Sequence, residues 1–155
     1  MQKKSIFSTI CLLCVLTLLF GCGSMTKSAI NGDLNGVKSY VAKGENVNQV
    51  DSSGWTPLLW ATYYNNYTVV EYFLDNGANP NVQSTKAIGD ILPGSTALLI
   101  AAYYGQVDTV KIILAHGADK NIKNSAGETA RNVAEKYSFT EVVDLLDKGV
   151  PPAVK

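Results

Sequence analysis

The 155-residue chain predicts an all-α fold, a solenoid of stacked helical units, on three observations. The first is a repeat. Gly44 and Gly77, Asn48 and Asn81, and Thr96 and Thr129 are each 33 positions apart. Gly77 and Gly117, Asn81 and Asn121, and Thr56 and Thr96 are each 40 apart. One period of 33 with a single insertion of 40 − 33 = 7 residues explains every interval, including Gly54, Gly94 and Gly127. Self-similarity at this period marks units that stack because none can bury its own apolar face. The second observation is helical patterning: Val69, Val70, Phe73 and Leu74, then Val107, Val110, Ile113 and Leu114, recur at i, i+3, i+4, i+7. The third is cysteine usage. Cys11, Cys14 and Cys22 are the three cysteines, and from Gly23 onward there is none, so the domain must rely on its core and its stacking instead of disulfides.

The N-terminus reads as an address. Met1-Gln2-Lys3-Lys4 is a short positive stretch, and Ile6 to Phe20 is a mostly apolar run. At about 1.5 Å per residue this run spans roughly 22 Å, short of a bilayer core of about 30 Å. It fits the apolar region of a secretory signal peptide over residues 1–21. The end of the run, Leu19-Phe20-Gly21-Cys22, resembles the bacterial lipobox, although Phe20 is bulkier than the usual residue there. The resemblance implies cleavage before Cys22, with Cys22 as the lipid attachment site carrying palmitate-like chains. Gly23 follows, where an Asp would signal inner-membrane retention. The expected location is therefore the cell envelope, lipid-anchored in the outer membrane and facing the periplasm, with residues 22–28 as a tether. A Gram-positive surface lipoprotein is the alternative.

The units follow in order. Thr56-Pro57-Leu58-Leu59-Trp60-Ala61 recurs as Thr96-Ala97-Leu98-Leu99-Ile100-Ala101, and loosely as Thr129-Ala130-Arg131-Asn132-Val133-Ala134. Leu74-Asp75-Asn76-Gly77-Ala78-Asn79-Pro80-Asn81 recurs as Leu114-Ala115-His116-Gly117-Ala118-Asp119-Lys120-Asn121, and loosely from Val41 to Asn48. Thr56 suits a helix N-cap and Pro57 the first helical position, while Gly44, Gly77 and Gly117 suit helix ends. Asp51-Ser52-Ser53-Gly54 and Asn124-Ser125-Ala126-Gly127 read as tight turns. These motifs resemble the ankyrin repeat over residues 29–149. The resemblance implies helix-turn-helix units with projecting β-hairpin fingers. Residues 29–53 form an incomplete N-terminal cap, 54–93 a repeat with the insertion, 94–126 a regular repeat and 127–149 a C-terminal cap, with 150–155 as a tail. Leu59 and Leu99 replace the motif's His, so the hydrogen-bond network that His supports in the family is not expected here.

Charge and chemistry narrow the function. The chain carries 13 basic and 13 acidic residues; without Lys3 and Lys4 the balance is 11 − 13 = −2, which offers no footprint for nucleic acid. No catalytic set, metal cluster or phosphate-cradling loop is present, so neither a metal nor a cofactor is expected, and the chain reads as a non-enzyme. His116, the single histidine, sits where a cation suits a helix C-terminus.

The ankyrin resemblance implies a concave binding face built by Trp55, Tyr63 and Tyr64 in one repeat and by Ser95, Tyr103 and Tyr104 in the next. Tyr and Trp are efficient interface anchors, although such rings can also simply cover neighbouring helices. Trp60 sits at a core-type position and is read as packing. In the insertion, Ile88 and Ile91 are candidate contacts, with fold-back against the stack as the equal alternative. The reading is an envelope lipoprotein that binds a protein partner as adaptor or inhibitor, including the case of an immunity protein that neutralises a toxin; a structural envelope factor is the other candidate.

Overall fold

A computed structural model describes residues 24–149. The signal-peptide segment, Cys22 and the tail 150–155 lie outside the described residues. Eight helices occur among the described residues: α1 (Met25–Asn31), α2 (Leu34–Ala42), α3 (Pro57–Tyr63), α4 (Tyr67–Asp75), α5 (Ala97–Tyr103), α6 (Val107–Ala115), α7 (Ala130–Lys136) and α8 (Thr140–Lys148). The odd-numbered helices have seven residues each and stack as an inner layer; the even-numbered have nine each and stack behind them.

Each inner helix starts on a hydroxyl cap. Thr56, Thr96 and Thr129 accept from the backbone N–H of Leu59, Leu99 and Asn132, and Asn132 closes a capping box. Each ends in a tight turn whose key residue lies in the left-handed region: Gly32, Asn65, Gly105 and Ser138 have φ between 56° and 68°. At Gly105 a Cβ would also meet the Phe139 ring at 2.6 Å, so glycine is required there for space as well as for conformation. The outer helices turn one stripe inward: Val37, Val69, Val70, Phe73, Val110, Ile113 and Val142 are fully buried. Ala61, Ala101, Ala102 and Ala134 are equally buried and let the layers approach closely.

The first unit differs from the expected incomplete cap. Ser24 caps α1 by accepting from Lys27 N–H, and Met25 and Ser28 are buried, so residues 24–28 belong to the stack and not to a tether. The unit is a complete helix pair. It lacks the Thr-Pro-Leu signature, and Ser24 does the capping instead.

The fingers are held by turn hydrogen bonds. Among the described residues they form no strand, only an isolated antiparallel bridge between Ile88 and Ile91. Gly54 N–H donates to Asp51 O and Gly127 N–H to Asn124 O, both at 2.9 Å, as the turn motifs predict. Adjacent fingers are linked by Thr85 N–H to Gly54 O (3.0 Å) and Ser125 N–H to Pro93 O (2.8 Å).

With Leu59 and Leu99 buried at the motif's His position, polar coupling between units runs elsewhere. Asn48 accepts from Asn79 N–H and Asn81 from Asp119 N–H, both at 2.8 Å. Asn66 donates back to the carbonyls of Ala29 (2.7 Å) and Ile30 (3.0 Å), and Gln106 to that of Thr62 (2.9 Å). These side chains stitch a helix end in one unit to the turn of the next.

His116 forms another such link. Its Nδ1 lies 2.8 Å from Ile112 O and its Nε2 3.1 Å from Asp75 of the preceding unit. Both neighbours are acceptors, so the doubly protonated ring satisfies both. The Ile112 carbonyl, and then Asp75 and Glu71, raise its pKa above 6.5 against the opposing effect of burial. A raised folded-state pKa gives stability that is fully present below about 6.5 and lost as pH rises through the folded value. Thermal melts across that window should show the native chain losing under about 1 kcal/mol as pH rises, and His116→Gln should flatten that slope.

Trp55 is the largest fully buried side chain. Urea unfolding of Trp55→Ala should show a loss of about 3–5 kcal/mol, against the small change expected of a surface ring.

Candidate protein-binding face

The inner helices end in aromatic residues that join across units. Tyr63 closes α3 and Tyr64 follows it; Tyr103 closes α5 and Tyr104 follows it; Tyr137 follows α7. The Tyr63 and Tyr104 rings meet edge to face at 5.5 Å, and those of Tyr103 and Tyr137 at 4.8 Å. Within units, Tyr63 and Tyr64 lie 5.2 Å apart and Tyr103 and Tyr104 5.0 Å apart, again edge to face. Trp60 stacks on Tyr64 at 6.3 Å. The outcome is one continuous ladder of rings across three units. Each contact adds about 0.5–1.5 kcal/mol beyond burial and fixes the ring positions.

Exposure separates the ladder into buried supports and presented faces. Tyr64, Tyr104 and Tyr137 are 49%, 40% and 41% exposed, whereas Tyr63 and Tyr103 are half-buried between them. A row of rigid, amphipathic, half-exposed rings is the composition that protein interfaces favour. The hydroxyls of Tyr103 and Tyr104 are held in their protonated form. The Tyr103 pKa is pushed up to about 12 by its hydrogen bond with Tyr137, by burial and by the nearby Asp90 carboxylate. That of Tyr104 is raised chiefly by burial, then by its hydrogen bond with Tyr63.

Two of the expected contact residues are corrected here. Trp55 is fully buried, and its indole N–H donates to Lys86 O at 3.0 Å. It cannot present a surface, because the inserted finger folds over it. Trp60 packs against the core, as its position predicts, and is half-buried beside Tyr64, with its indole N–H donating to the Asp51 carboxylate at 2.7 Å. Ile91 is 2% exposed and hydrogen-bonds with Ile88 in both directions, and Ile88 packs against the core, so the insertion has folded back onto the stack. Burial removes Ile91 as a contact, while Ile88 stays partly exposed. Leu92 is the apolar residue the finger leaves at the surface.

The finger tip still shapes the face. A Cβ on Gly89 would lie 3.3 Å from the Tyr63 hydroxyl, and the next residue, Asp90, reaches Tyr103. Tyr137 is a member of the ladder that the sequence reading left out. Its signal was present: Tyr64, Tyr104 and Tyr137 keep the 40-then-33 rhythm of the repeat.

The family profile for ankyrin repeats in three copies matches residues 12–84 and again 82–155. The human DNA-binding protein RFXANK is 37% identical over 60 residues, which are 38% of this chain and 23% of that protein. Human ankyrin repeat domain-containing protein 39 is 39% identical over 57 residues, 37% of this chain and 31% of that protein. A putative ankyrin repeat protein of Borreliella burgdorferi is 29% identical over 78 residues, half of this chain and 36% of its own. The match thus spans about a third or less of these relatives' lengths. The two profile matches together run through the whole stack of helix pairs, and the chain belongs to the ankyrin-repeat family of protein-interaction modules.

Proposed function

We propose that this chain is a lipid-anchored envelope protein of a bacterium that holds a protein partner against its concave tyrosine ladder. The observation that carries the reading is the alignment of Tyr64, Tyr104 and Tyr137, three half-exposed rings braced from behind by other aromatics. Bracing lowers the entropy lost on binding, which favours a specific partner over loose adhesion. Binding suits the chain better than turnover, since its single histidine, His116, is engaged with Ile112 and Asp75 on the outer helices. Although one relative is named a DNA-binding protein, a net charge of −2 after Gly23 disfavours a phosphate backbone as the partner here.

The envelope address rests on the lipobox-like Leu19-Phe20-Gly21-Cys22. Since α1 is capped at Ser24, an anchor at Cys22 leaves Gly23 alone between lipid and fold. The array would sit directly on the outer-membrane surface, facing the periplasm. A small, secreted, non-catalytic binder held there suits an inhibitor, and within that class an immunity protein that neutralises an incoming toxin.

Two measurements follow. Metabolic labelling with palmitate should mark the chain in envelope fractions, and Cys22→Ser should abolish the label and leave a larger, unprocessed species; an unlabelled native chain would remove the anchor. Capture from envelope extracts should yield a discrete partner. Changing Tyr63, Tyr64, Tyr103 and Tyr104 together to Ala should weaken that capture by at least about a hundredfold, the scale of losing an interface hot spot. Undiminished capture would move the site off the ladder.

A further inference from the structure

The insertion does more than fold back. Asp90, Ile91 and Leu92 overhang the inner layer and enclose a cavity of about 230 Å³ with Leu99 and Tyr103 of α5 and Val133 and Tyr137 of the last unit. A regular 33-residue array has no such overhang, so the cavity exists because of the seven extra residues. It is smaller than the roughly 300–1,000 Å³ of small-molecule sites, and matches one long side chain.

Its walls have two characters. Ile91, Leu99 and Val133 form an apolar floor, each at most 4% exposed. The rim carries the Tyr103 and Tyr137 rings and two carboxylates, Asp90 and Glu128. Glu128 is paired with Lys136 at 3.2 Å, which commits the cation at this rim. Asp90 takes part in no ion pair among the described residues. Lys136 also lies over the Tyr137 ring, 5.8 Å from its centroid, so the rim holds the uncompensated Asp90 charge beside the Tyr103 ring.

We propose that this cavity receives a single arginine side chain of the partner protein, whose guanidinium meets Asp90 beside the Tyr103 ring. The inference rests on the tyrosine ladder being a protein-binding face and specifies what that face selects. Charge complementarity sets the choice of occupant. An apolar anchor would cover the Asp90 carboxylate and leave it without a counter-charge, which is costly. A guanidinium is planar, weakly hydrated, stacks on aromatic rings and offers a fork of donors to a carboxylate, while its methylene stem suits the apolar floor. A lysine ammonium is a compact, strongly hydrated point charge and matches this slot less well.

The test uses capped Gly-Arg-Gly, Gly-citrulline-Gly and Gly-norleucine-Gly peptides, titrated into the full chain in detergent micelles and followed by NMR. The arginine peptide should produce saturable shifts at Leu92, Tyr103 and Tyr137, and the neutral citrulline peptide should bind at least about tenfold more weakly. Asp90→Asn should erase that difference without altering the melting temperature, since Asp90 is exposed. Norleucine binding as well as arginine, an absence of saturable shifts, or an Asp90→Asn variant that keeps the arginine preference would each overturn the inference. Partner capture separates the two readings. Capture that needs the tyrosines but is unchanged in Asp90→Asn sinks the arginine site and leaves the ladder standing. Capture indifferent to the tyrosines sinks both.

Discussion

A seven-residue helix does not persist alone in water, where isolated helices need on the order of 12–15 residues. Every inner helix among the described residues has seven. Each exists because a neighbour covers it, and this mutual dependence shapes the rest of the molecule. It demands hydroxyl caps at one end, left-handed turns at the other and alanines where layers meet. It also explains why Asn66 and Gln106 reach backwards to carbonyls of the preceding unit, because a helix of two turns leaves a large share of its polar ends to be satisfied from outside.

That dependence also made much of the fold legible in the sequence. A stack of equal units needs equal spacing, so Thr56, Thr96 and Thr129 and Gly44, Gly77 and Gly117 announce their roles by interval. Outer-helix stripes such as Val69, Val70 and Phe73 are visible because their period matches the helix. The first unit was harder to see. Its cap is Ser24, with no proline or leucine pair after it, so α1 carries none of the motif by which its siblings are recognised.

The site was half legible for a different reason. Tyr63, Tyr64, Tyr103 and Tyr104 follow the repeat, and Tyr137 does so too. Trp55 broke the pattern because its environment is decided by the insertion, which has no counterpart elsewhere in the chain. Lys86 and its neighbours close over Trp55, whereas Asp51, in the preceding turn, holds the Trp60 indole. Periodicity reports only what recurs; a segment that occurs once has its position set by tertiary packing. The same segment gives this face its one feature that a plain array lacks, a recess with a carboxylate at its mouth.

The aromatic ladder has an optical consequence as well. Trp55 and Trp60 lie 5.0 Å apart, and the tyrosines adjoin them in an unbroken series. At such separations, light absorbed by the tyrosines passes efficiently to the indoles, and the two indole transitions couple with each other. Trp55 sits in a sealed interior, whereas Trp60 is half-exposed beside Tyr64. The coupled indole pair therefore senses two events through one emission, the opening of the stack around Trp55 and the arrival of an occupant beside Trp60.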